Sequence, residues 1–152
     1  MGTLRLLHDE LLRDPELCLV RGHAQLTTRN VETGADEPEG NPAESFPDYL
    51  GAGIYRKEAF DRVGLFDPSL WFAEDTDWHK RFTESDLRSL RVPAVTLIVR
   101  RHGGNMTAQK TSKDLHRSLL ATFKRSLDRA RERTGAAPFE SVSEAVRTDV
   151  GI

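Results

Sequence analysis

Trp71-Phe72-Ala73-Glu74-Asp75-Thr76-Asp77-Trp78 sets three carboxylates within four residues and an aromatic side chain on either side of them. The stretch reads as the opening of a helix over 75–84 in which Trp78 and Phe82 lie one turn apart on a buried face. Carboxylates at a helix start are favoured by the macrodipole, by ~0.3–1 kcal/mol each. A carboxylate held against apolar rings has a second use, as a general base. The residues alone leave both readings open.

Outward on the N-terminal side, 49–55 reads as a short strand whose Gly51 and Gly53 let another backbone or a ligand approach closely. A short helix follows over 56–63, with Ala59, Phe60 and Val63 on its inner face and Gly64 as its C-terminal cap. Phe66-Asp67-Pro68-Ser69 is a turn. Farther out, Leu4, Leu7 and Leu11 fall at helical spacing over 3–13. Asp14-Pro15 breaks that helix, because Pro has no amide to continue it, and 17–28 reads as a strand. Residues 30–48 hold six acids and no Lys or Arg. This is a long loop by the standards of compact domains, either a mobile acidic insert or a lid over a site.

Outward on the C-terminal side, 91–100 is the clearest strand. Val95, Leu97 and Val99 lie on one face and Thr96 and Ile98 on the other, the two-sided apolar pattern of a strand inside a sheet. Residues 113–134 form a long helix, with Leu115, Leu119, Phe123 and Leu127 repeating every four residues and Gly135 as its stop. From 112 to 134 seven Lys or Arg face three Asp or Glu, which marks either a solvated face or a docking surface for phosphates or anionic lipid. Ser141-Val142-Ser143-Glu144 fits a capping box opening a last short helix.

The whole chain sets bounds. Its 152 residues suffice for one domain with a core. A net charge of -2 predicts no nucleic-acid partner. Cys18 is the single cysteine, so no intrachain disulfide forms, which fits a reducing compartment. Within Leu17-Cys18-Leu19-Val20 it reads as a small buried side chain rather than a nucleophile. Met1-Gly2-Thr3-Leu4-Arg5 is not a signal peptide, since charges interrupt any apolar region. Leu6 breaks the myristoylation pattern. No run approaches the ~20 apolar residues of a membrane span. A cytoplasmic protein is expected, with a membrane surface as an additional docking option.

Taken in order, the pieces resemble the acceptor half of a family 2 glycosyltransferase with the GT-A fold. They are Asp14-Pro15-Glu16-Leu17 leading into Val20-Arg21-Gly22, then Gly51-Ala52-Gly53-Ile54 with Arg56-Lys57-Glu58-Ala59-Phe60. Val63-Gly64-Leu65-Phe66-Asp67-Pro68-Ser69-Leu70 and the acidic stretch follow, and last comes Val92-Pro93 with the strand ending Arg100-Arg101-His102-Gly103-Gly104-Asn105-Met106-Thr107. The likeness covers about residues 4–108. It implies an α/β fold, a partial GT-A-like domain over 1–108. A short mixed sheet from 17–28, 49–55 and 91–100 would be packed by helices 3–13, 56–63 and 75–84. A helical extension would occupy 109–152.

The likeness also implies a function: inverting transfer of a sugar from a nucleotide-sugar to a hydroxyl of a glycan or other acceptor. Asp75 would be the base and Glu74 the second candidate. Gly51, Gly53, Trp71, Asp77 and Trp78 would lie around the substrate. His102 would bind the metal or the diphosphate, with Gly103-Gly104-Asn105 offering amides. The complete enzyme would use a divalent cation, Mn²⁺ or Mg²⁺. The departure matters equally. The family's nucleotide-binding half ends in an Asp-x-Asp motif, and none precedes residue 14; Asp75-Thr76-Asp77 belongs to the acceptor side. The chain alone is therefore expected not to transfer sugar, and to need a complementing N-terminal half or a homo-oligomer. Uncovered apolar surface or self-association should accompany that need. Two alternatives stand beside it: a non-catalytic remnant that binds a sugar or a partner, and a small structural domain.

Overall fold

The computed structural model describes residues 2–44, 49–70, 72–102, 104 and 112–135. The readings placed on Trp71, on Gly103 and Asn105, and on 141–144 lie outside them. The described residues form four helices and an open, mixed, four-stranded sheet.

The long strand β1 (Leu17–Arg29) is the axis of the molecule. On one side it pairs in parallel with β4 (Arg88–Arg101). Its other side is shared. The first half pairs antiparallel with the short β3 (Gly53–Tyr55), Val20 opposite Ile54. The second half pairs antiparallel with β2 (Asp36–Glu39), Thr28 opposite Glu37.

Helix α1 (Thr3–Arg13) covers one face of the sheet. Its Leu7 and Leu11 pack on Leu17, Val20 and Val92. Helices α2 (Lys57–Val63) and α3 (Glu74–Thr83) cover the other, where Ala59, Trp78 and Phe82 pack on Cys18 and Leu19. Leu17 and Val20 share a face although three residues apart. A register shift between Leu17 and Leu19 supplies the odd residue, as a bulge does. Arg56 ties the layers together by donating from Nε to the Leu17 carbonyl at 2.8 Å and from Nη2 to the Leu11 carbonyl at 2.7 Å.

A glycine is required at position 22. A β-carbon there would lie 2.4 Å from the Ala94 carbonyl oxygen and 2.4 Å from the Thr96 side chain. The space it leaves lets Thr96 Oγ1 donate to the Ala52 carbonyl at 2.7 Å, across β1. Gly64 caps α2 as expected, at φ 87°, its N–H donating to the Phe60 carbonyl.

Three expectations are corrected. The acidic segment 30–48 is not all loop, because β2 lies within it. Asp36 accepts from Arg100 at 2.6 Å and Glu39 from Arg101 at 2.9 Å. The acids are thus neutralised by the end of β4. The segment 49–55 divides evenly, with a 3₁₀ turn over Leu50–Ala52 and a strand over its last three residues. The strand β4 is not interior among the described residues: it pairs with β1 alone, and Val95 and Ile98 are 43% and 64% exposed.

Helix α4 (Ser112–Thr134) packs against α3, with Phe123 and Leu127 of the apolar repeat left 43% and 58% exposed. Its docked face is polar. Thr122 is fully buried, and Ser126, Arg129 and Arg133 all donate to the Glu84 carboxylate. Arg125 reaches Asp67 at 2.6 Å. Hydroxyl and guanidinium donors satisfy Glu84, and Arg129 approaches the buried Asp77 Oδ1 at 3.5 Å without a hydrogen bond, so polar groups here build an interface that apolar ones would build elsewhere. Glu84 is held below its ordinary value of 4.5; its burial alone would raise it, and the bonds from Arg129 and Ser126 outweigh that. A lowered folded-state pKa means the contribution is present above the unfolded value and is lost as pH falls through the folded one. Protection factors of the α4 amides, corrected for intrinsic exchange, should therefore fall as pH drops below the ordinary value of 4.5 and through the lowered one. Glu84→Gln should bring the loosening to neutral pH, costing about 1–3 kcal/mol. Unchanged exchange in that variant would mean that α4 is held by other contacts.

Candidate functional site

The sequence delivers its acids to the surface through an unusual helix start. Ala73, which precedes α3, has left-handed φ and ψ of 64° and 23° and no side chain able to cap. For a residue with a β-carbon this costs roughly 1–2 kcal/mol. It is the one non-glycine residue with positive φ among the described residues, and it is buried. Strain of this kind gathers where a fold over-determines a functional position.

Asp75 follows, half-buried. Burial pushes its carboxyl above the ordinary value of 3.8, and the neighbouring Glu74 charge pushes the same way. The Thr76 N–H, donating at 2.7 Å, offsets this in part. Burial is the largest of these influences. A carboxylate with a raised pKa is a better proton acceptor.

Two groups not singled out as site residues share this neighbourhood. Tyr49, just before the 3₁₀ turn, has its phenol raised first by burial; Arg101 lowers it and Asp75 raises it. Arg101 stands at the end of β4. Tyr49, Asp75 and Arg101 are 26 or more residues apart in sequence, and only the folding of β4 alongside β1 brings their charges together. Asp75 and Arg101 thus both act on Tyr49, and a half-buried carboxylate with a raised pKa is a functional-site candidate.

The remaining expected site residues divide. Gly51 is exposed at the turn, with Leu97 methyls 3.6 Å from where its β-carbon would be, and leaves open surface beside Tyr49. Gly53 serves the sheet instead, since a β-carbon there would meet Arg21 Cβ at 2.9 Å and the Val20 carbonyl at 3.0 Å. Asp77 faces inward. It is bridged by Arg81 at 2.9 Å and Arg129 at 3.5 Å and is buried. Trp78 is fully buried, its Nε1 donating to the Gly64 carbonyl at 2.8 Å. The expectation that Asp77 and Trp78 line a substrate is corrected accordingly. They offer it no surface, because their aromatic and ionic contacts fix α3 in place.

His102 is exposed, and its Nδ1 accepts from the Gly104 N–H at 3.2 Å. It supplies a single imidazole. No group of three His, Cys, Asp or Glu side chains able to hold a metal stands together among the described residues. Their donor set does not fit a divalent cation, and no step is derived through one. A shallow concavity of about 290 Å³ lies elsewhere, between Glu16, Cys18, Glu58, Arg62 and Arg88 beside the turn that follows α3. It is at the far end of α3 from Asp75, and its arginine Arg88 is already paired with Asp14 and Glu16. No helix among the described residues is long and apolar enough to cross a membrane.

Comparison of the chain with protein-family models finds no match, and comparison with curated proteins finds none.

Proposed function

We propose that this chain forms the acceptor side of an inverting glycosyltransferase of the family 2, GT-A kind, with Asp75 as its general base. The observation that carries the reading is the half-buried carboxyl of Asp75 on a strained helix start, raised by that burial and within electrostatic reach of Tyr49. The chemistry asks for such a group. An acceptor hydroxyl attacks the anomeric carbon of the nucleotide-sugar from the face opposite the diphosphate. As the new carbon–oxygen bond forms, the bond to the phosphate oxygen breaks and configuration inverts. The hydroxyl proton passes to Asp75. Tyr49 and Arg101 bound the same surface and orient hydroxyls by hydrogen bonding.

Nucleotide and cation binding belong, in this reading, to a further half. The outer edge of β4 supports it. That edge carries no strand among the described residues and leaves Val95 and Ile98 exposed, as an edge awaiting more sheet does.

Chemical-shift mapping of the chain during titration with short glycans tests the acceptor site. Shifts should cluster at Tyr49, Gly51, Glu74, Asp75 and Arg101, and a glycan panel that moves none of them sinks the reading. Calorimetry with nucleoside diphosphates separates the halves. The chain alone should give no Mn²⁺-dependent heat, and strong heat would place the donor site on this chain.

A further inference from the structure

Much of the apolar stripe of α4 stays in solvent. Leu120, Phe123 and Leu127 are 68%, 43% and 58% exposed, because the helix docks on α3 by its polar face. At about 3.6 residues per turn the three form one strip. Lys113, Lys124 and Arg117 project along one border of that strip, all exposed. On the other border Lys80 of α3 stands over the Phe123 ring, 4.0 Å from its centroid. The strip is thus apolar in the middle and cationic on both flanks. Of the acids on α4, Asp128 is paired with Arg131 at 3.8 Å.

We propose that this face of α4 docks on an anionic lipid surface, independently of the transfer chemistry proposed above. Charge complementarity selects the occupant. Apolar side chains enter the boundary between headgroups and acyl chains while lysines and arginines on the flanks meet lipid phosphates. A second copy of the same face would set cationic borders beside one another. The docking is reversible. Three side chains are a small anchor, and stable attachment needs two signals, here insertion and charge. Helix α4 runs along the bilayer plane in this arrangement and carries α3, with Asp75 at its start, close to the membrane.

Flotation of the full chain with vesicles tests this. Vesicles of phosphatidylcholine containing phosphatidylglycerol should carry the chain; phosphatidylcholine alone should not. Raising salt should release it, since the cationic contribution is screened. Leu120→Ser with Leu127→Ser, and separately Lys113→Glu with Lys124→Glu, should each weaken partition roughly tenfold or more. All four positions are exposed, so melting temperature should hold and show that the variants fold. Failure to float with anionic vesicles overturns the proposal, as does equal flotation with neutral ones. It is overturned also if light scattering finds a dimer that the leucine variant dissolves, because a second copy then covers the strip.

Discussion

Asp75→Asn should lower sugar transfer by ~10²–10⁴-fold, the usual cost of removing a general base, and leave the fold as stable as before or more so. Transfer is measured in the assembly that includes the nucleotide-binding half. The loss should fall on kcat with nucleotide affinity nearly unchanged, because the base faces the acceptor and not the diphosphate. The helix terminus alone would predict a small stability loss on removing the charge. Burial reverses that sign. Asp75 is raised in the folded state, so its stabilising contribution is present below the unfolded value near 3.8 and is lost as pH rises through the folded one. At neutral pH the ionised carboxylate is a net cost, and Asn removes it while retaining an oxygen for the Thr76 N–H. A melting temperature that rises or holds, together with lost turnover, is the signature of a base kept at the expense of stability. Normal turnover would leave Asp75 a helix-start acid, and a large drop in melting temperature would make it a structural acceptor. Glu74→Gln is the control, since a deeper kinetic loss there moves the base by one residue.

The parts of the fold that could be read from the sequence are those whose side chains follow one period. The strand β1, the helices α1, α2 and α3 and the cap at Gly64 all lie within a residue or two of where their patterns put them. Asp36-Glu37-Pro38-Glu39 could not be read as a strand. Three acids and a proline argue against one locally, and their pairing with β1 is supported by Arg29 of β1 and by Arg100 and Arg101, the last two over sixty residues away. The α4 repeat misled for a related reason. Period identifies an apolar face, but which face docks depends on the partner, and α3 presents Asp77 and Glu84 rather than a hydrophobic groove. The two-sided pattern of β4 reads as an interior strand, yet only β1 lies beside it among the described residues. At the site, the acid pair was visible as a cluster. Its surroundings were not, because Tyr49 comes within electrostatic reach of Asp75 only through tertiary structure. Asp77 and Trp78, adjacent to it in sequence, point away, since successive residues of a helix face different directions.

Trp78→Ala should be the most damaging single change to the fold, costing ~3–5 kcal/mol. Trp78 is fully buried and stands at the middle of an aromatic group. Its ring centroid is 4.8 Å from Phe60, 5.4 Å from Tyr55 and 5.6 Å from Phe82. Truncation leaves a cavity lined by rings that cannot collapse into it, because each is also tied to its own element. It also strips the Gly64 carbonyl of the indole donor at the point where α2 ends. Native domains hold only ~5–15 kcal/mol in reserve, so the urea midpoint should fall by a large fraction of its value. Trp78→Phe separates the two contributions. It keeps much of the ring volume and loses only the donor, so it should cost about 1–3 kcal/mol. A loss below about 1 kcal/mol for the alanine variant would show that α2 and α3 are not joined through this ring. The effect should reach the site as well. Trp78 lies one turn from Asp75 on the same helix, and a shift of α3 by even an ångström misplaces a base that must meet its hydroxyl at hydrogen-bond distance. In the phenylalanine variant, whose fold persists, turnover should therefore decline more than stability does, although Trp78 touches no substrate.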